Sequence, residues 1–155
     1  MMKKIILLAS VLLLSFLLVG CTKETTKNIE GSLNDIMTKL YEGIDENEMP
    51  GLADNVELNQ ENFVNFAFVD NVKYKEAIVS EPVIGAIAHS VVLIRLEDAS
   101  DAETVVNDIK ANANPRKWVC VEAENTYVLS KGDLVLLIMS NELADKIKNN
   151  FENLK

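Results

Sequence analysis

Residues 134–139, Leu-Val-Leu-Leu-Ile-Met, are six apolar side chains in a row. Residues 89–96 are almost as apolar and include the β-branched Val91, Val92 and Ile94. Successive side chains of a strand point to opposite faces, so a strand without polar alternation has no face to turn to water. Such strands are central in a sheet and covered on both sides. Two strands without a polar face call for some cover on each side of the sheet.

The chain supplies helices for that cover. Ser32 begins one, with Asp35 three residues on, and Leu33, Ile36, Met37, Leu40, Tyr41 and Ile44 follow helical spacing. Ser100-Asp101-Ala102-Glu103 reads as a capping box for a second, whose apolar face is Ala102, Val105, Val106, Ile109 and Ala113. Asn114-Pro115 stops it. Ser140 or Asn141 is expected to cap a third, with Leu143, Ala144, Ile147, Phe151 and Leu154 inward. Residues 74–80 read as a strand broken at Glu81-Pro82, and 83–88 as an apolar connection containing Gly85. Residues 126–129, a turn at 130–133 and the strand 134–139 form a hairpin. Residues 45–62 read as an acidic loop broken at Pro50-Gly51. Residues 63–69, with Phe63, Phe66 and Phe68, fit helix or strand equally.

The expected fold is therefore α+β. A mainly antiparallel sheet of about four or five strands is built from two strand-strand-helix units and preceded by an N-terminal helix. Two helices should cover one face and the first helix part of the other. Val92, Ile94, Leu136, Ile138, Val105, Ile109, Ile147 and Phe151 should be buried together.

Ahead of this domain, Lys3 and Lys4 precede residues 5–19, all apolar or small and uncharged. That is the layout of a secretory signal, and it falls short of the roughly 20 residues that span a bilayer. Leu18-Val19-Gly20-Cys21 follows. These four residues resemble the lipobox of bacterial lipoproteins. The resemblance implies a signal peptide over residues 1–20, diacylglyceryl transfer to the Cys21 thiol, and cleavage that makes Cys21 the N-terminus. Two acyl chains suffice for stable anchoring. Residues 21–31 are polar and read as a flexible tether, and residues 32–155 as a single domain.

The full chain has 15 basic and 24 acidic residues, for a net charge of −9. Loss of Lys3 and Lys4 with the signal makes it −11. That balance argues against nucleic acid, which needs a basic footprint, and against lying flat on anionic lipid. Beside Cys21 the only cysteine is Cys120, so the domain has no internal disulfide. Its abundant Asn, Lys and Ile fit an AT-rich Gram-positive genome.

Candidate chemistry is sparse. His89 is the sole histidine, which excludes a multi-histidine zinc site. On a strand, His89 and Ser90 point to opposite faces and form no dyad, and no Gly-x-Ser-x-Gly elbow is present. A hydrogen-bonded structural histidine is the expectation. Cys120, between Val119 and Val121, reads as a small buried hydrophobe. Arg95 interrupts an apolar strand and is expected to pair with an acid such as Glu97. Asp45, Glu46 and Glu48 lack the spacing of a calcium loop. No phosphate loop, dinucleotide fingerprint or HExxH motif occurs, so no cofactor is expected. Arg116, Lys117 and Trp118 put two cations beside the only tryptophan, on a connection after Pro115, and form the candidate partner-binding segment.

Residues 114–121 (Asn-Pro-Arg-Lys-Trp-Val-Cys-Val) and 131–139 (Lys-Gly-Asp-Leu-Val-Leu-Leu-Ile-Met) resemble small clostridial lipoproteins carrying a domain of unknown function. Ser80-Glu81-Pro82 and Ala88-His89-Ser90 add to the likeness, which spans about residues 32–153. It implies a compact α+β domain outside the cell membrane and supplies no catalytic residues. The expectation is a lipoprotein held by Cys21 on the outer face of the cytoplasmic membrane, acting as a non-enzymatic binding or accessory module for a protein or small ligand. A small cell-surface enzyme using His89 or Cys120 is the alternative.

Overall fold

The computed structural model describes residues 27–51 and 53–155. The expected signal peptide, the lipobox-like stretch with Cys21 and the first residues of the expected tether lie outside the described residues. The elements in order are α1 (Leu33–Leu40), β1 (Ala53–Glu57), α2 (Phe63–Ala67), β2 (Tyr74–Pro82), β3 (His89–Leu96), α3 (Ala102–Asn112), β4 (Asn125–Lys131), β5 (Leu134–Ser140) and α4 (Ala144–Glu152). Together they make the α+β fold expected from the sequence.

The five strands form one sheet in the order β1-β2-β3-β5-β4, every neighbouring pair antiparallel. β3 and β5 are central, as their unbroken apolar runs require. His89 stands opposite Ser140 and Arg95 opposite Leu134. The β4–β5 turn has Gly132 at φ 58, the positive angle of a tight hairpin connection. A Cβ on Gly132 would come 2.9 Å from the Asn28 backbone, so the glycine also lets the incoming chain pass close by.

The sheet divides the interior into two cores. Val92, Ile94, Val135, Leu137 and Met139 face α2 and α3, joining Phe63, Val105, Ile109 and Trp118. Val91, Leu93, Leu134, Leu136 and Ile138 face α1 and α4, joining Leu33, Ile36, Ile147 and Phe151. Two expectations are corrected here. Val92, Ile94, Val105 and Ile109 are buried, and so are Leu136, Ile138, Ile147 and Phe151, but the sheet lies between the two groups. The helices of the two strand-strand-helix units also lie on opposite faces, with α1 beside α4. A period-2 strand feeds both faces, so each apolar run needs its own cover.

Other local readings shift as well. Within 45–62, read as loop, β1 forms an edge strand; its Ala-Asp-Asn-Val-Glu sequence shows weak β-propensity, and pairing with β2 makes it. The ambiguous 63–69 segment is the short helix α2, ended by Phe68 in the left-handed region at φ 61. Ser32 caps α1, its hydroxyl accepting from the Asp35 amide at 3.2 Å. Ahead of α3, Asp98 caps a 3-10 turn at Ala99–Asp101, accepting from the Ser100 amide at 2.8 Å, while Asp101 at the start of α3 itself makes no side-chain capping bond. Neither Ser140 nor Asn141 caps α4. Ser140 turns to His89, and the Asn141 side chain accepts from the Glu124 amide. Residues 27–31 do not hang free: Ile29 is buried in the α1/α4 core.

Candidate functional site

The sheet has two ends of opposite character, separated by the length of β3, about 23 to 26 Å for eight residues. One end gathers the β2–β3 connection, the segment between α3 and β4, and the loop after α1. The other gathers the β4–β5 turn, residues 27–31 and the end of the last helix.

At the first end, the backbone stop at Pro115 aims Lys117 inward. Its Nζ donates to Glu81 Oε2 at 2.6 Å and lies 3.4 Å from Ser90 Oγ. Three rings surround the same ammonium, with centroids 4.7 Å away for Phe66, 5.5 Å for Trp118 and 5.9 Å for Phe68. The Lys117 side chain is 13% exposed. This aromatic box with one carboxylate suits an alkylammonium, and the chain's own lysine fills it. Of the candidate segment Arg116, Lys117, Trp118, only Arg116 projects as expected, with its side chain 79% exposed; Lys117 and Trp118 turn inward. Trp118 is buried against the α2/α3 core, and Arg116 makes an exposed pair with Glu122 at 3.2 Å, worth little in water. The next two residues also face outward. Val119 is 93% exposed and Cys120 is exposed, which corrects the reading of Cys120 as a buried hydrophobe. The chain here is an irregular loop, so no strand alternation buries the apolar run.

On the α1/α4 face of the same end, His89 bridges two hydroxyls. Its Nε2 is 2.7 Å from the Tyr41 hydroxyl and its Nδ1 2.9 Å from Ser140 Oγ. Burial pushes the imidazole down to about 4 and the Tyr41 phenol up to about 12, the latter partly opposed by a hydrogen bond with Ser80. At neutral pH the chain Ser80-Tyr41-His89-Ser140 is uncharged, each imidazole nitrogen has a partner, and a neutral ring matches one donor with one acceptor. His89 is the satisfied structural histidine expected. Ser90 points the other way, to Lys117. Ser140 is the serine that sequence reasoning missed, because only the β3–β5 register brings it opposite His89.

His89 and Ser140 form part of the wall of a cleft of about 370 Å³, with Met49, Pro50, Ile87, Val121 and Glu142 around it. Both side chains are nevertheless almost fully buried, so a substrate carbonyl has no approach to Ser140 Oγ in this conformation. Cys120 is not among the residues lining that cleft.

Ile87 lines this cleft, and the same end of the sheet carries an apolar rim of exposed residues: Val83 at 76% and Ile84 at 52% on the β2–β3 connection, and Val119 on the loop between α3 and β4. Of the 83–88 connection, apolar in sequence, residues 83–87 stay at the surface and Ala88 is buried in the α2/α3 core.

The opposite end is polar and closed. Arg95 donates from Nε to Glu76 at 2.7 Å, from Nη1 to the Ile29 carbonyl at 2.8 Å, and from Nη2 to the Gly31 carbonyl at 2.7 Å. Nη1 also reaches Asp133 at 3.3 Å. Glu76 and Asp133, both across from β3, take the place expected of Glu97. Beside them Lys131 donates to the carbonyls of Glu152 and Leu154, each at 2.6 Å, closing the end of α4. Arg95 is thus a clamp on the incoming chain and not an anion receptor.

Among the described residues there is no cluster of three or more His, Cys, Asp or Glu able to hold a metal. No described helix is long and apolar enough to cross a membrane. Comparison with protein-family models, with curated proteins and with solved structures finds no match.

Proposed function

We propose that this chain is a lipid-anchored binding or accessory module, acylated on Cys21 and held at the outer face of the cytoplasmic membrane of a Gram-positive-like bacterium. The Leu-Val-Gly-Cys sequence after an uncharged apolar run carries the anchoring part, together with the resemblance to small clostridial lipoproteins. Separation of the chemically capable residues favours binding over catalysis. His89 is buried at one end of β3, Arg95 is engaged at the other, and Cys120 stands on an exposed loop. An enzyme needs its groups converging on one concave site.

The geometry also favours an orientation. The chain from Cys21 enters beside Arg95, so the exposed Val83, Ile84, Ile87 and Val119 lie at the end away from the anchor. A protein partner on the far side of the domain meets them first. Cys21→Ala followed by cell fractionation and fatty-acid labelling tests the anchor. The expected result is loss of label and release from the membrane fraction; unchanged labelling overturns it.

The enzymatic alternative rests on the His89–Ser140 contact. A fluorophosphonate probe that labels Ser140, and fails to do so in His89→Gln, would establish it in place of the binding reading.

A further inference from the structure

We propose that the open edge of β4 is a docking slot for an extended acidic segment of a partner protein, which adds to the sheet as a further strand. This goes beyond the proposed function and does not depend on acylation of Cys21.

β4 pairs with β5 on one side only and ends the sheet. The two-residue turn makes Lys131 and Leu134 a hydrogen-bonded pair, and the bonded pairs then alternate through Leu129, Tyr127 and Asn125. The N–H and C=O groups of Thr126, Val128 and Ser130 consequently point away from β5, toward the open side. They form the row of donors and acceptors that a new strand needs.

This edge lies in a groove. A depression of about 540 Å³ runs along it, with Lys110, Ala113 and Pro115 on the α3 side and Lys148 on the α4 side. Thr126, Tyr127, Val128 and Leu129 form its floor. An incoming strand would alternate its side chains between the two helix walls, as β4 itself does.

Charge selects the occupant. The chain as a whole carries −9, yet the two charged residues lining this groove are both lysines. Among the described residues neither Lys110 nor Lys148 is paired with a carboxylate. The Lys148 ammonium lies 4.9 Å from the Tyr127 ring centroid, which holds it over the strand. Asp145, one turn before Lys148 on α4, is engaged by the Tyr127 hydroxyl, from which it accepts at 2.8 Å. Repulsion from the acidic body is screened beyond about 8 Å at physiological salt, so the local lysines decide what the slot accepts. A second copy pairing β4 with β4 would bring Lys110, Lys148 and Lys131 of both chains together, which disfavours it.

The test uses the full chain in detergent micelles and three synthetic peptides with the 7 residues of β4's length. One alternates Glu with Val, one alternates Lys with Val, and one is the Glu-Val peptide N-methylated at alternate residues. The Glu-Val peptide is expected to bind and to slow amide exchange at Thr126, Val128 and Ser130. The Lys-Val and N-methylated peptides, and the Lys110→Glu/Lys148→Glu protein, are each expected to bind at least about tenfold more weakly. Both substitutions sit on exteriors of helices, and circular dichroism checks that the variant is folded. Absence of Glu-Val binding, binding that leaves those amides unprotected, or indifference to N-methylation overturns the proposal. So does peptide-independent self-association through β4, which would make these lysines an ordinary edge of a dimer.

Discussion

The two ends of β3 make opposite use of the same resource, the unsatisfied groups that a sheet leaves where its strands stop. At the Arg95 end, cations close two loose stretches of chain. Arg95 holds the carbonyls of Ile29 and Gly31, and Lys131 those of Glu152 and Leu154. At the His89 end, polar groups are drawn inside, into the Lys117 box and the His89 chain, and apolar residues are left outside. One end uses its polarity to hold residues 29–31 and the end of α4; the other hides it and keeps a surface that water does not favour. A residue's cost on removal should therefore differ sharply between the ends, although both are equally far from the middle of the sheet.

The largest effect is expected at the clamp. Arg95→Met leaves Asp133 buried without its cation and frees two carbonyls, at a cost of about 3 to 5 kcal/mol. Urea denaturation measures it, and a loss below about 1 kcal/mol would mean the two ends are not energetically distinct.

An intermediate effect belongs to His89 and depends on pH. Its folded pKa of about 4 lies below the ordinary 6.5, so the unfolded chain binds the proton more readily. This contribution is full above pH 6.5 and is lost as pH falls from 6.5 toward 4, amounting to about 3 kcal/mol at most. Stability curves of the wild type and His89→Gln between those limits should converge on acidification. Parallel curves would show that the imidazole is not held neutral.

The smallest effect is expected at the apolar rim. Ile84→Asp and Val119→Asp should each change stability by less than about 0.5 kcal/mol, because both side chains already face water. A cost above about 2 kcal/mol would show that these residues pack in solution, and the contrast between the ends would collapse.

Much of this architecture was legible in the residues. The apolar runs of β3 and β5 marked central strands, Gly132 marked the hairpin turn, and the helical spacing of Leu33, Ile36, Met37 and Leu40 marked α1. Ser32 as a cap was legible because capping is settled within three residues. Where the reading slipped, a distant partner intervened. Ser140 forsakes a cap for an imidazole 51 residues away, and Arg95 passes over Glu97 for acids on β2 and the β4–β5 turn. β1 exists because β2 offers an edge, not because its sequence favours extension. Trp118 and Cys120 were exchanged for the same reason. Outside regular structure no period says which side is in, so the tryptophan is buried and the thiol exposed.

The sequence by itself determined the class of fold, the central strands and the need for cover on both faces, since hydrophobic periodicity is a local property of the chain. It also holds Leu18-Val19-Gly20-Cys21, on which the proposed lipid anchor rests and which is read linearly. Only the tertiary structure decided that two cores exist, that His89 meets Ser140 and Tyr41, that Lys117 fills an aromatic box, and that residues 29–31 and the end of α4 are clamped opposite the apolar rim. Those depend on strand register and on which face each helix takes. Both are settled by contacts between residues far apart in the chain, where a shift of one position moves every side chain to the other side.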